Sequence, residues 1–144
     1  MMTVETILKR KGHNVFTIRP EHSLADAAGL LSNKGIGVAV VCDGKGHVQG
    51  VLSERDIVKA ISLYGAGALE MPVRNVMSSP AVTCKLSDSA KRILEVMTER
   101  RMRHLPVLED GELIGIISIG DAVNARLMDA QMEMGVLRDF AVTR

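Results

Sequence analysis

The sequence repeats the stretch Gly50-Val51-Leu52-Ser53-Glu54-Arg55-Asp56 as Gly115-Ile116-Ile117-Ser118-Ile119-Gly120-Asp121. The similarity extends upstream, where Phe16-Thr17-Ile18-Arg19 is matched by Val82-Thr83-Cys84-Lys85. The offset is 66 residues at the start of the repeat (Thr17 to Thr83) and 65 at its end (Asp56 to Asp121), so the second copy has lost one residue. A repeat of this period indicates that the fold is built from two copies of one unit.

Each copy is predicted to fold as strand, helix, strand, strand, helix. Ser23 and Ser53 are good helix N-caps, and Gly35 can end the helix that Ser23 begins. The first copy comprises a strand over 15–18, a helix from Ser23, strands 38–42 and 48–52 around the turn 43–46, and a helix from Ser53 to about Leu63. The second copy comprises a helix starting at Ser87 or Asp88, strands 105–108 and 113–117 around the turn 109–111, and a helix from Ser118 toward Met132.

The segments that precede the two copies also correspond, since 73–77 mirrors 4–8. We therefore divide the chain into a first repeat with its leading segment (1–65), a linker (66–72), a second repeat (73–133) and a C-terminal tail (134–144). A unit of about 60 residues buries only a modest fraction of its surface. The two copies are therefore expected to share an interface and to fold as one body with pseudo-twofold symmetry.

Composition narrows the function classes. The 144 residues carry 18 Lys plus Arg against 17 Asp plus Glu and are only 2% aromatic, which argues against nucleic-acid binding. No apolar run approaches the roughly 18 residues of a membrane span, and residues 1–11 are charged where a signal peptide would be apolar. We therefore expect a cytoplasmic protein that binds neither nucleic acid nor membrane.

Cys42 and Cys84 lie in apolar, strand-like surroundings and are expected to be reduced core residues.

The repeated stretches, together with Met102-Arg103-His104-Leu105-Pro106-Val107, resemble the tandem CBS domains, which are paired regulatory modules. The resemblance covers essentially the whole chain. It implies an α+β fold of two βαββα repeats packed through their sheets with pseudo-twofold symmetry. It also implies clefts between the repeats that bind adenine nucleotides, and further pairing of chains into a four-copy disc.

The Ser-x-x-Asp spacing supports a nucleotide site in each copy. Ser53 with Asp56, and Ser118 with Asp121, bring a hydroxyl, a carboxylate and helix N-terminal amides to one point, where a ribose and a phosphate can bind. The same residues also form a capping box, in which the acid serves the helix itself. Both interpretations stay open for the aspartates.

The resemblance implies which residues contact the adenine. These are Ile18, Ile36 and Val38 in one cleft, and Cys84, Met102 and His104 in the other, with Pro106 in the same second-copy motif. A plain core position is the alternative for each apolar residue. His104 is expected to be structural, because no second His, Cys or acid stands at metal-ligand spacing, and no metal site is predicted.

Arg55 is a candidate phosphate ligand, and its counterpart in the second copy is Gly120. The Asp121 cleft therefore has to recruit another cation, with Arg101, Arg103 and Lys85 available, and we expect one cleft to bind phosphorylated nucleotide more tightly than the other. The run Lys9-Arg10-Lys11 is interpreted as a solvated face.

Motifs of catalysis such as GxSxG, HExxH and the P-loop are missing from the sequence, and an enzyme is not expected. The favoured function is a sensor of an adenine nucleotide, AMP first, with ADP, ATP or NAD as alternatives, which needs no further cofactor. We expect a homodimer that acts on a separate regulated protein. The alternative is an adaptor module with vestigial clefts, whose partner face includes the apolar residues Met128, Met132, Met134, Val136, Leu137 and Phe140 near the C-terminus.

Overall fold

The computed structural model describes the backbone of residues 1–142 and the side chains of residues 1–135. The elements in chain order are α1 (Val4–Lys11), β1 (Thr17–Ile18), α2 (Leu24–Lys34), β2 (Val38–Cys42), β3 (Val48–Ser53), α3 (Glu54–Tyr64), two 3-10 segments (Gly65–Glu70 and Val73–Asn75), α4 (Ala90–Arg100), β4 (His104–Glu109), β5 (Glu112–Ser118) and α5 (Ile119–Val142). The predicted order of elements is confirmed in the first copy, whereas the first strand predicted for the second copy is reduced to an isolated bridge at Cys84.

Two small sheets form the centre of the molecule. In the first, β1 pairs parallel with β2 and β2 pairs antiparallel with β3. In the second, β4 pairs antiparallel with β5, and Cys84 makes a parallel bridge to Val107 in the place that β1 holds in the first copy. The sheets pack together through an apolar cluster of Val40, Cys42, Val51, Met102, Leu113 and Ile116, among others. The fold is therefore the α+β arrangement of two βαββα repeats packed through their sheets.

Helix boundaries follow the capping residues. Ser23 caps α2 in a capping box with Asp26, and Gly35 ends the helix in the left-handed region at φ 63°. The expected start of α4 at Ser87 or Asp88 is wrong, because the N-cap is Ser89, whose Oγ accepts from the Arg92 amide at 3.1 Å. The Asp88 carboxylate instead accepts from the Lys85 amide at 3.0 Å and closes the preceding turn.

The leading segment of each copy packs on the other copy. Val4 and Leu8 of α1 lie in the core of the second repeat, and the Val4 amide donates to the Asp88 carbonyl at 2.9 Å. Val73 lies in the core of the first repeat, and its amide donates to the His22 carbonyl at 2.7 Å. The segment placed with the first repeat in our division 1–65 is therefore packed against the second repeat, and the two halves are interlocked.

The repeated glycines are required where these leading segments cross β3 and β5. A Cβ on Gly50 would lie 2.4 Å from the Ser78 carbonyl oxygen, and a Cβ on Gly115 would lie 2.9 Å from Leu8 Cδ2. At Gly50 the added Cβ would meet backbone, which cannot easily shift, whereas at Gly115 it would meet the end of the Leu8 side chain, which would have to move. The glycine that opens each repeated stretch therefore allows the close approach of the segment from the other half.

The last helix is longer than expected and reaches Val142. Val136, Leu137 and Phe140 of the expected partner face lie outside the residues whose side chains are described. Along the described part of the chain, no helix combines the length and the apolar character needed to cross a membrane.

Candidate functional site

A cavity of about 320 Å³ lies where the two repeats meet beside the start of α3. The first repeat and its neighbouring segment contribute Gly37, Val38, Val51, Ser53, Glu54, Arg55, Asp56 and Ser78. The second repeat contributes Arg101, Met102, Arg103 and His104. We call this cavity the Asp56 cleft.

Asp56 and Ser53 form a capping box at the start of α3. The Ser53 amide donates to Asp56 Oδ2 at 2.8 Å, and the Asp56 amide donates to Ser53 Oγ at 3.2 Å. Among the residues with described side chains, no donor reaches the second carboxylate oxygen, Oδ1, while the cavity lies against this half-buried residue. The capping role therefore holds one oxygen in place and leaves the other as an acceptor toward the cleft.

Three arginines line the same cleft. Arg55 stands in the first turn of α3, whereas Arg101 and Arg103 come from the end of α4 and the start of β4. Arg101 ends α4 in the left-handed region at φ 55°, with its amide bonded to the Met97 carbonyl. None of the three pairs with a carboxylate among the described side chains, so the cleft offers guanidinium donors to a phosphate.

The apolar wall of the cleft consists of Val38, Val51 and Met102, which also belong to the cluster between the sheets. His104 is half-buried beside them. Burial lowers the pKa of His104 below its ordinary value, and the positive charges of Lys11 and Arg103 lower it further against the opposite effect of Asp121. The imidazole is therefore neutral at pH 7 and extends the surface on which a base can lie.

The second copy carries the same capping box with a different neighbour. The Ser118 amide donates to Asp121 Oδ2 at 2.9 Å and the Asp121 amide donates to Ser118 Oγ at 3.1 Å. Lys11 Nζ donates to the same Oδ2 at 2.7 Å and to the Ile116 carbonyl at 2.9 Å. Lys11 is an exposed residue, as expected of a solvated face, but its ammonium is paired with Asp121. Ser118 and Asp121 are not among the residues that line the Asp56 cleft.

The Lys11 contact also determines the titration of Asp121. Burial by itself would raise the pKa of Asp121, but the hydrogen bond from Lys11 and those from Ser118 outweigh it. The net pKa lies below the ordinary value. Asp121 is therefore a carboxylate that already has a cationic partner from within the chain.

The structure divides the predicted site residues differently from the two clefts that we expected. Met102, Arg103 and His104 line the Asp56 cleft together with Val38, and His104 also pairs with Ser118 across β4 and β5. Arg101, also considered for the Asp121 cleft, lines the Asp56 cleft as well, whereas Lys85 is not among its lining residues. The reason is that the loop after α4 reaches across the sheet interface to the first repeat.

Four other predicted residues lie outside the Asp56 cleft. Ile18 lines a different cavity of about 840 Å³ between the two hairpin turns, and Ile36 packs on the core of the first repeat. Cys84 and Pro106 are buried in the second repeat, where the Cys84 amide donates to the Pro106 carbonyl at 2.9 Å. The alternative of a plain core position therefore describes Cys84 and Pro106 better than a ligand contact.

Sequence reasoning missed several lining residues. Val51 belongs to the repeated stretch and lies two residues before Ser53. The alternation of side chains along a strand could therefore have indicated that Val51 lines the same cleft as Ser53. Ser78 belongs to the leading segment of the second copy and reaches the cleft because its amide and carbonyl bond to Val51 at 2.9 and 3.1 Å. No sequence pattern connects Lys11 to Asp121, because the two are 110 residues apart and belong to different halves.

Comparison with known proteins places this geometry in a family. The sequence profile of the CBS domain matches residues 4–63 and again residues 73–127. The chain belongs to the CBS-domain family. The recognition of a tandem CBS protein is thereby confirmed, with the two matches falling on the two repeats.

Known relatives agree with this membership. An uncharacterized 17.7 kDa protein of Acidianus ambivalens is 32% identical over 122 residues, covering 84% of this chain and 73% of the relative. The CBS-domain containing protein ATU1752 from Agrobacterium tumefaciens has a solved structure with a TM-score of 0.82 and 44% identity, covering 86% of this chain and 92% of its own. The CBS domain protein PAE2072 from Pyrobaculum aerophilum, solved in complex with AMP, has a TM-score of 0.73 and 27% identity, covering 83% and 89%.

Proposed function

We propose that this protein is a regulatory module that senses an adenine nucleotide, and that it binds the nucleotide in the Asp56 cleft. AMP is the first candidate, with ADP, ATP or an NAD-type dinucleotide as alternatives. The observation that carries the proposal is the combination, in one cavity, of a half-buried carboxylate with an unused oxygen, three arginines and an apolar wall. The complex of the Pyrobaculum CBS protein with AMP supports the choice of ligand class.

We propose a set of residues for each part of the nucleotide. The base would lie between Val38 and Met102, which come from opposite repeats. The ribose hydroxyls would donate to Asp56 Oδ1, and the phosphate would accept from Arg55, Arg101 and Arg103. A hydrogen bond to a charged acceptor contributes about 1.5–3 kcal/mol, so Asp56 is expected to account for much of the affinity.

A nucleotide in this position would connect the two repeats. It would contact α3 of the first repeat and the segment between α4 and β4 of the second. A ligand changes a protein's conformational balance only through different affinities for two states. The proposed signal is therefore a change in how the two repeats pack, transmitted to a partner protein rather than to a reaction in this chain.

A thermal-shift panel tests the ligand class. AMP, ADP, ATP, NAD and S-adenosylmethionine are compared with GMP as the control, on protein shown to carry no copurified nucleotide. A ligand at 100 times its dissociation constant adds about 2.7 kcal/mol, which raises the midpoint of a domain of this size by roughly 5 to 10 °C. A shift with an adenine ligand and none with GMP is expected, and no shift with any adenine ligand contradicts the proposal.

We further propose that two chains associate through α3 and α5, the corresponding helices of the two repeats. Val58, Leu63 and Tyr64 expose 65%, 65% and 62% of their surface on α3, and Val123 and Leu127 expose 42% and 57% on α5. Large exposed apolar side chains that form a contiguous patch are typical of interfaces, and we infer that these residues of α3 and α5 form one. If the nucleotide panel gives no shift, this surface favours the adaptor function over the sensor.

A further inference from the structure

One internal contact distinguishes the Asp121 carboxylate from the Asp56 carboxylate. Lys11 Nζ lies 2.7 Å from Asp121 Oδ2 and 2.9 Å from the Ile116 carbonyl oxygen. The Lys11 and Asp121 side chains expose only 31% and 24% of their surface. An ammonium with two acceptors at these distances is a bound group rather than a freely moving surface lysine.

The position of Lys11 is fixed from both sides. On the N-terminal side, Val4 and Leu8 of α1 are buried in the second repeat, and α1 ends where the Gly12 amide donates to the Leu8 carbonyl at 2.7 Å. On the C-terminal side, the His13 ring nitrogen Nδ1 lies 2.9 Å from the Ile114 carbonyl oxygen on β5. Lys11 is therefore held over the capping box of α5 by anchors at both of its ends.

The first copy shows what this position looks like without a lysine. Val51 corresponds to Ile116, and the Val51 carbonyl accepts from the backbone amide of Ser78 at 2.9 Å. The carbonyl of Ile116 accepts instead from the Lys11 side chain. Asp56, unlike Asp121, has no cationic partner among the described side chains, and its cleft is open. The two copies therefore have the same capping box at the start of the helix. They differ in that the carboxylate of Asp121 accepts from Lys11, whereas the carboxylate of Asp56 has no cationic partner among the described side chains.

We propose that Lys11 is an internal ligand of the Asp121 cleft, so that each chain takes up one nucleotide and the second cleft accepts a ribose only when Lys11 is withdrawn. This inference rests on the proposed function, because it assumes that an Asp at this position of a repeat binds ribose. Ribose hydroxyls would have to replace an ion-paired hydrogen bond, in which donor and acceptor are both charged, with hydrogen bonds in which only the carboxylate is charged.

Calorimetry with AMP on the full chain tests this inference. The wild type is expected to bind one AMP per chain. Lys11→Met keeps most of the apolar stem but removes the charge and both hydrogen bonds, and this variant is expected to bind two. Lys11→Arg retains a cation for Asp121 and is expected to bind one. Lys9→Met serves as the surface control, because Lys9 exposes 71% of its side chain and, among the side chains described, pairs only with Glu5 on the same helix.

The double variant Lys11→Met with Asp121→Asn assigns the new site. It is expected to return to one AMP per chain, whereas Lys11→Met with Asp56→Asn is expected to keep one AMP in the Asp121 cleft. A thermal midpoint for each variant establishes that it is folded, and Lys11→Gln provides a second neutral variant should Lys11→Met fail to fold.

The outcomes separate the two proposals. Two AMP per wild-type chain, or one AMP for both the wild type and the neutral Lys11 variants, overturns the inference and leaves the Asp56 site intact. One AMP for Lys11→Met and none for the wild type overturns the Asp56 proposal while supporting the role of Lys11. Absence of binding in all of these proteins overturns both.

Discussion

At the residue scale, the pKa of His104 is expected to change with ligand binding in the Asp56 cleft and with changes at Asp121. It lines the Asp56 cleft, it pairs with Ser118 across β4 and β5, and its pKa responds to Lys11 and Asp121. Burial is the largest cause of its lowered pKa. Because the folded-state pKa lies below 6.5, the unfolded state takes up more protons, so stability is fully present above about pH 6.5 and falls as the pH drops through the folded pKa.

We therefore predict that the His104 ring titrates below pH 6.5 in the free protein and at a higher pH when AMP is bound, since a nearby phosphate favours the imidazolium. Lys11→Met should also raise the pKa, because it removes a neighbouring positive charge. NMR titration of the ring protons measures both shifts. An unchanged His104 pKa with AMP bound would place the phosphate elsewhere.

The two cysteines give a second prediction at this scale. Burial raises the pKa of Cys84 to about 12 and also raises the pKa of Cys42, and both thiols are free and buried. The thiolate is the reactive form, so folded protein at pH 8 is expected to resist iodoacetamide at both positions. Mass spectrometry should find full alkylation only after unfolding in urea. Rapid alkylation of Cys84 in the folded protein would contradict its place in the core.

At the scale of elements, the glycines of the repeated stretch join the two halves. Gly50→Ala would force the new Cβ against the Ser78 carbonyl at 2.4 Å. We expect this overpacking to cost about 1–3 kcal/mol of unfolding free energy. Gly29→Ala is the matched control, because Gly29 lies in the interior of α2 with nothing within 4 Å of the added Cβ. That change should stabilise the protein by about 0.5–1 kcal/mol.

Urea unfolding of the two variants distinguishes the close approach from helix propensity. Opposite signs support the account of Gly50. A neutral effect of Gly50→Ala would mean that the segment containing Ser78 moves away without loss, and the contact between β3 and that segment would then contribute little to stability.

The helices and strands of this protein were largely predictable from its sequence, because capping residues and the spacing of apolar residues determine where they begin and end. Ser23, Gly35 and Ser53 set their helix ends as expected, and β2 has the predicted bounds 38–42. The start of α4 was missed because Asp88 and Ser89 are both good capping residues, and only the backbone decides which of them lies at the N-cap.

The site was less predictable than the elements. Asp56, Ser53, Arg55 and Val38 do lie together, since the repeat places them on neighbouring strand and helix ends. The contribution of Arg101, Arg103 and Met102 to that same cleft depends on how the repeats pack, and the pairing of Lys11 with Asp121 depends on α1 crossing to the other half. Contacts between distant parts of the chain leave no local pattern in one sequence.

At the scale of the whole molecule, the exposed faces of α3 and α5 predict a dimer. Val58→Glu and Leu127→Glu would each place a charge on one of these faces, and burying an unpaired charge is strongly unfavourable. Light scattering coupled to size exclusion should show a dimer for the wild type and a monomer for the double variant. Leu69→Glu, which changes a 37% exposed residue outside both helices, should leave the dimer intact.

A monomeric wild type would remove the proposed interface, and so would a double variant that stays dimeric. The nucleotide proposal is independent of this outcome, because the Asp56 cleft is formed within one chain.

The most direct test of the central claim is calorimetry of AMP binding to Asp56→Asn and Asp26→Asn. Both aspartates complete a capping box at a helix start, with Ser53 and Ser23 respectively, but only Asp56 lines the cleft. We predict that Asp56→Asn weakens binding by about 10- to 100-fold, the equivalent of 1.5–3 kcal/mol, while Asp26→Asn leaves the affinity unchanged. Equal affinity for both variants would show that Asp56 only caps its helix, and would contradict the assignment of the nucleotide to this cleft.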